Sequence, residues 1–166
     1  MNNAGIGGRM RPIARMDPAD FDTMIAVNVR GVFLCARAAI PHIADAGGGS
    51  IINTSSTAAF KPRPGTAAYT MAKAGVAAFT RALAVEVGPQ NIRVNALLPV
   101  AADTAFLDKQ FGDKKEAALP GIAEAIPLRR LCQVGDYANA AAFLCSDQAS
   151  FLNGVLLNVD GGWLSF

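Results

Sequence analysis

Residues 50–99 read SIINTSSTAAFKPRPGTAAYTMAKAGVAAFTRALAVEVGPQNIRVNALLP, and this stretch decides the fold. Residues 50–54 hold the short Ile51-Ile52 apolar pair of a buried strand, and residues 92–98 read as a second buried strand ended by Pro99. Between them, residues 55–64 are rich in turn formers, with Pro62 and Pro64 excluding regular structure. Ala67–Val87 is then a long helix. Val76, Phe79, Leu83 and Val87 form its apolar stripe, while Ala72, Ala74, Gly75, Ala77 and Ala78 are small enough to let another backbone come close. Strand, helix, strand in that order is the repeating unit of a parallel sheet.

Working outward, the first residues, MNNAGIGG, form a polar, glycine-rich turn with no strand or helix in front of it. Asp17 followed by Pro18 opens a helix, because the carboxylate accepts orphan N–H groups and Pro sits where a missing donor costs nothing. Phe21, Met24, Ile25, Val29, Val32, Phe33, Ala36 and Ile40 recur at helical spacing until Gly47-Gly48-Gly49, which predicts two tandem helices bent near Asn28. Residues 101–127 have weak periodicity, mixed charge and internal Gly and Pro, the character of a mobile flap that shapes a substrate pocket. Residues 136–145 return to helix, and 155–159 form a third strand closed by Asp160-Gly161-Gly162. The fold class is α/β: a partial, doubly wound parallel sheet with helices on both faces, in one domain spanning residues 1–166.

The 166 residues are 52% hydrophobic and 17% charged, with a formal net charge of +2, so no field is present to draw nucleic acid or an acidic membrane surface. Arg9, Arg11 and Arg15 read as a solvated loop. His42 is the sole histidine and reads as a helix-surface residue, which leaves a His-containing zinc cluster or a Ser-His-Asp triad little room; no metal is expected. Cys35, Cys132 and Cys145 are odd in number, far apart and set among apolar neighbours, and are expected to be buried reduced thiols. No apolar run reads as long enough to span a bilayer and no signal peptide is evident, so the expected location is cytoplasmic.

Tyr69 and Lys73 lie four apart on the long helix and therefore project from one face about a turn apart. A free phenol titrates near ~10, and bringing it to neutrality takes about 4 kcal/mol of preferential phenolate stabilisation. One positive charge about 4 Å away supplies ~4 kcal/mol at an effective dielectric of 20, so Lys73 is expected to acidify Tyr69 into a general acid/base.

Context strengthens this weak pair. Asn2-Asn3-Ala4-Gly5, Asn28 in Val27-Asn28-Val29, Ile51-Ile52-Asn53-Thr54-Ser55-Ser56, Tyr69-Thr70-Met71-Ala72-Lys73, Arg93-Val94-Asn95-Ala96 leading to Pro99 and Thr104, and Asn158-Val159-Asp160-Gly161-Gly162 stand in order along nearly the whole chain. Together they resemble the short-chain dehydrogenase/reductase family, with Ser56 thirteen residues before Tyr69 as the family pattern requires. The resemblance implies an NAD(P)-dependent oxidoreductase interconverting a secondary alcohol and a ketone. In that reading Tyr69 exchanges the proton, Ser56 hydrogen-bonds the same substrate oxygen, Lys73 depresses the Tyr69 pKa and grips the nicotinamide ribose, and Asn28 holds a water linking Lys73 to solvent. Asn3, Ala4 and Gly5 would line the cofactor cleft, Pro99 would flank it, and Thr104 would contact the nicotinamide carboxamide. Ser55 reads as structural, its neighbour having the correct register.

Two departures stand out. The family commonly has Pro-Gly where Pro99 is followed by Val100, whose branched side chain would crowd the nicotinamide or restrict the backbone there. The glycine-rich βαβ unit that holds the pyrophosphate and selects NAD or NADP is not among these residues. Family members order their sheet 3-2-1-4-5-6-7, so the chain is expected to start at the end of the fourth strand and to derive from a longer reductase. An alternative is a truncated, catalytically silent fragment acting as an oligomerisation module. Under either reading the helices at 29–46 and 67–87 resemble those through which the family forms homodimers or homotetramers.

Overall fold

The computed structural model describes residues 1–165, with Lys109 described by its backbone alone. Three strands, β1 (Gly49–Thr54), β2 (Ile92–Pro99) and β3 (Leu156–Val159), form a parallel sheet in the order β1-β2-β3. Gly49 pairs with Ile92 through to Thr54 with Leu97, and Ala96 pairs with Leu156 through to Pro99 with Val159. Asn2 adds one parallel bridge to Asn53 on the outer edge of β1, where the sequence places the end of another strand.

Strand alternation divides the core between two faces. On one face Ile51, Ile92 and Val94 pack with Ala36, Leu83, Ala84 and Val87 from the helices α2 (Gly31–Asp45) and α3 (Ala67–Val87). On the other, Ile52 and Leu97 pack with Leu144 of α6 (Val134–Cys145) and with Ala149. Helices on both faces of a parallel sheet are the expected α/β architecture. α6 begins two residues earlier than expected because Gln133 and Asp136 form a reciprocal capping box, which makes Asp136 an internal first-turn residue.

The tandem-helix expectation holds in a modified form. Asp17 caps α1 (Pro18–Ile25) by accepting from Ala19 N–H at 2.9 Å, but α1 and α2 join through a π-turn at Ala26–Arg30 instead of a break. The result is one 28-residue helix, Pro18–Asp45, with an 18-residue window of mean hydropathy 1.5, long and apolar enough to cross a membrane, contrary to the sequence reading. Arg30 and Arg37 interrupt the run in sequence, so it does not read as one apolar stretch. In the fold, Met24, Asn28, Val32 and Ala36 are buried where this helix meets α3 and the sheet.

Two further expectations are corrected. Residues 101–127 contain α4 (Ala105–Phe111) and α5 (Lys115–Ala125), separated at Gly112, whose φ of +55° ends α4. Of the three cysteines only Cys132 is buried; Cys35 lies exposed on α2 beside the exposed Phe33 and Leu34, and Cys145 lies exposed at the end of α6 near the exposed Phe143. His42 is exposed on α2, as expected. Among the described residues no group of three His, Cys, Asp or Glu side chains is placed to hold a metal.

Buried amides fix the strands to what surrounds them. Asn95, fully buried in β2, accepts from Val155 N–H at 2.9 Å and donates to the Leu152 carbonyl at 2.8 Å, so it aligns the approach to β3. Asn95→Ala strands both backbone partners, a loss of about 2–3 kcal/mol. It should appear as a lower urea midpoint with unchanged m-value; a midpoint equal to wild type would show that β3 is held by other means.

Candidate functional site

The site forms where β1 ends and α3 begins. Lys73 is 3% exposed, and its ammonium donates to the Thr54 carbonyl at 2.8 Å, at the last residue of β1. Ser55 Oγ donates back to the Lys73 carbonyl at 2.8 Å, clamping helix to strand, so Ser55 has the structural role the sequence suggested. Ser56 follows in extended backbone (φ −167°) and opens a 3-10 turn, Thr57–Ala59, by accepting from Ala58 N–H at 3.2 Å. Its hydroxyl also lies close enough to the Tyr69 phenol to oppose the effect of burial on it. Ser56, Tyr69 and Lys73 are therefore brought together: the Lys73 nitrogen lies 5.8 Å from the Tyr69 ring centroid.

Asn28 reaches the cluster from the π-turn, fully buried, with both ends of its amide engaged by one residue. Oδ1 accepts from Ile6 N–H at 2.8 Å and Nδ2 donates to the Ile6 carbonyl at 2.7 Å. This double clamp lays the segment Asn3–Gly5 along the site. A Cβ on Gly5 would stand 2.9 Å from Asn28 Oδ1 and 3.3 Å from the Lys73 nitrogen, so glycine is what lets the backbone, the amide and the ammonium meet. Asn3, Ala4 and Gly5 are exposed. Asn3 Oδ1 accepts from the Thr54 hydroxyl at 3.1 Å, and the same hydroxyl shares a hydrogen bond with the Tyr137 phenol from α6.

The remaining positions lie at the edge of this cluster. The Pro99 carbonyl accepts from Thr57 Oγ1 at 3.4 Å, next to Ser56. Thr104 stands before α4 with its hydroxyl directed to the Ala102 carbonyl at 3.4 Å. Val100 is buried among Ile126 and Cys132. Phe106 on α4 comes over Tyr69, with ring centroids 5.8 Å apart. A separate cavity of about 450 Å³ opens between Phe60, Lys61, Arg81 and Leu98, away from the reacting groups.

The electrostatics differ from the sequence expectation. Burial pushes the Tyr69 phenol up to about 12, opposed by the nearby Ser56 hydroxyl, and burial lowers the Lys73 ammonium to about 8. The lysine is turned to the Thr54 carbonyl, and desolvation of the phenol dominates. At neutral pH the arrangement holds a neutral phenol, which is a proton donor, above a cation that gives up its charge unusually easily. The sequence missed the contacts of Thr54 with Lys73 and of Ile6 with Asn28, since both are made through backbone atoms, and it missed Phe106 and Tyr137, which carry no motif.

A family described as enoyl-(acyl carrier protein) reductase matches residues 1–164. The chain is 37% identical over 163 residues to 4-formylbenzenesulfonate dehydrogenase of Comamonas testosteroni, covering 98% of this chain and 65% of that one. Its structure is similar to 3-ketoacyl-(acyl-carrier-protein) reductase of Brucella melitensis complexed with NADH, with a TM-score of 0.90 and 43% identity over 98% of this chain and 65% of that chain. It is likewise similar to a gluconate 5-dehydrogenase of Burkholderia cenocepacia in complex with NADP and tartrate, with a TM-score of 0.92 and 33% identity over 99% of this chain and 64% of that chain. The chain thus spans a little under two thirds of the length of these relatives.

The Lys73 shift has a sign that can be measured. The unfolded chain keeps this proton to about pH 10.5 and the folded chain releases it near 8, so between those values the unfolded state binds more protons and stability rises with pH. The slope is about 1.4 kcal/mol per pH unit for a full proton. Urea unfolding between pH 8 and 10 should show wild type gaining roughly 2–3 kcal/mol relative to Lys73→Met. Parallel profiles for the two proteins would mean that the ammonium is not desolvated.

Proposed function

The chain belongs to the short-chain dehydrogenase/reductase family, and we propose that its Ser56–Tyr69–Lys73 cluster is the reacting centre of an NAD(P)-dependent oxidoreductase interconverting a secondary alcohol and a ketone. The observation that carries this reading is the placement of the Ser56 hydroxyl beside the Tyr69 phenol, with the buried Lys73 ammonium 5.8 Å from the Tyr69 ring centroid. A carbonyl oxygen accepting from both hydroxyls would have its developing negative charge stabilised by Ser56 and neutralised by the Tyr69 proton. In the reverse direction, the Tyr69 phenolate accepts the alcohol proton and returns to the neutral phenol.

The residues present fit a nicotinamide dinucleotide. Lys73 commits one N–H to Thr54, and an ammonium has three donors, which leaves capacity for ribose hydroxyls. The bare Gly5 backbone beside it, kept open by the missing Cβ, lies with Asn3 and Ala4 along the same edge. Asn3, Ala4, Gly5, Pro99 and Thr104 would hold the nicotinamide half, together with Tyr69 and Lys73. NAD or NADP, when bound, would supply or take the hydride at the substrate carbon.

Asn28 would act by position: its grip on Ile6 holds the Gly5 edge against Lys73, and a water at this buried junction would connect the ammonium with solvent. The substrate is a small alcohol or ketone, with residues 101–127 shaping its pocket. The proposed setting is cytoplasmic, and the assembly a homodimer or homotetramer through α2 and α3. An exposed stripe on α3, Met71, Gly75, Ala78, Ala82 and Val85, supports the assembly reading and also favours the second reading, an oligomerisation module without turnover.

Titration with NADH and NADPH followed by fluorescence separates the two, because a silent module binds neither below millimolar concentration. With turnover in hand, Tyr69→Phe should lower kcat by about 10²–10⁴-fold with cofactor affinity nearly unchanged. Retained kcat would remove Tyr69 from the chemistry.

A further inference from the structure

The flap reaches the site through one side chain. The Phe106 ring lies at 53° to the Tyr69 ring, the tilted arrangement that aromatic pairs favour. The tip of the same ring abuts Gly7: a Cβ there would stand 2.6 Å from Cζ, 3.0 Å from Cε1 and 3.2 Å from Cε2, so only glycine leaves room for it. Phe106 is thus wedged between the segment that Asn28 fixes and the Tyr69 ring.

The wedge is held from behind. Lys115, at the start of α5, pairs with Asp103 at 2.7 Å and also with Asp108, and these two aspartates bracket Thr104–Leu107. Leu107, next to Phe106, is 2% exposed and roots this turn of α4 in the core. The ring is therefore a placed wall and not a loose side chain on a surface helix.

We propose that Phe106 is a specificity-determining residue: its ring, seated on Gly7 and against Tyr69, walls off one side of the phenol and excludes ketones with a bulky substituent on that side. The inference rests on the oxidoreductase reading and deepens it by naming the substrate class, ketones with at least one small, unbranched arm. A carbonyl oxygen must come within hydrogen-bond reach of both Ser56 and Tyr69, which brings the two arms of the ketone beside the phenol. One of them then meets the Phe106 ring. A methyl or ethyl arm fits beside an aromatic edge, whereas a tert-butyl arm requires the ring to leave a seat that Gly7 shapes and Leu107 anchors.

Protein labelled with 3-fluorotyrosine tests this without relying on turnover. The chain has two tyrosines, so the Tyr69 fluorine signal is identified by its loss in Tyr69→Phe, with Tyr137 as internal reference. In the presence of NADH, butan-2-one should shift the Tyr69 signal in wild type, and di-tert-butyl ketone, bulky on both arms, should not. In Phe106→Ala both ketones should shift it, the bulky one with an apparent affinity at least tenfold better than in wild type. Gly7→Ala, which pushes the ring from its seat, should move in the same direction by a smaller factor. Equal responses to the bulky ketone in wild type and both variants would overturn the proposal, as would a Tyr69 signal that answers neither ketone in all three proteins. Absorbance at 340 nm in the same samples reports separately on the oxidoreductase reading: selective binding without any NADH oxidation would defeat that reading and leave the wall standing.

Discussion

A primary ammonium placed beneath a helix needs oxygen close by, and Lys73 finds it in the carbonyl that ends β1. That one contact sets the distance between α3 and the sheet, and the Ser55 hydroxyl bonding the Lys73 carbonyl fixes the same distance a second time. Everything else at the site is arranged around the charge so placed. Gly5 lacks a side chain because the ammonium and the Asn28 amide occupy its surroundings, and Asn28 holds Ile6 by both N–H and C=O so that this close approach persists. A buried cation without such fixed partners would be strongly destabilising. Here its charge is retained at neutral pH but weakly, with the ammonium lowered to about 8.

The same logic of buried polar groups tying elements together extends across the sheet. Asn53 accepts from Asn2 at 2.8 Å and donates to Thr80 of α3 at 2.9 Å, linking the N-terminal segment, β1 and the long helix. Asn95 does the equivalent work between β2 and the approach to β3. After β3, the Asp160 carboxylate accepts from the Gly162 and Leu164 N–H groups at 3.0 and 2.9 Å, turning the chain back. Apolar packing supplies the driving force on both faces, and these amides and carboxylates decide which register the packing takes.

Much of this could be read before any coordinates. The strand–helix–strand unit at 50–99 announced itself through short β-branched runs, two prolines and a long alanine-rich stripe, and the Tyr69–Lys73 spacing follows from helix geometry alone. The proximity of Ser56 was legible only through the ordered motifs, because thirteen residues of turn carry no geometric signal. The state of Tyr69 was not legible. The sequence shows a cation one turn away, but whether attraction or desolvation wins depends on where the ammonium is aimed, and it is aimed at Thr54. Exposure of Cys35 and Cys145 was missed because apolar sequence neighbours do not imply burial: Phe33, Leu34 and Phe143 are exposed along with the thiols. The helices at 105–125 were hidden by glycine and proline in a segment with little apolar stripe.

The wide turn at Ala26–Arg30 alters how the long N-terminal helix keeps its alignment. In an unbroken α-helix, residues eight apart drift around the axis by about 80°. Met24, Asn28, Val32 and Ala36 recur every fourth position and would spiral away from the domain if the helix were regular. Absorbing one additional residue in a single broad turn cancels most of that drift, much as a leap day realigns a calendar. The adjustment keeps a hydrophilic amide in step with three apolar neighbours and delivers it inward midway along the rod, where an uninterrupted coil of this sequence would have swung it aside.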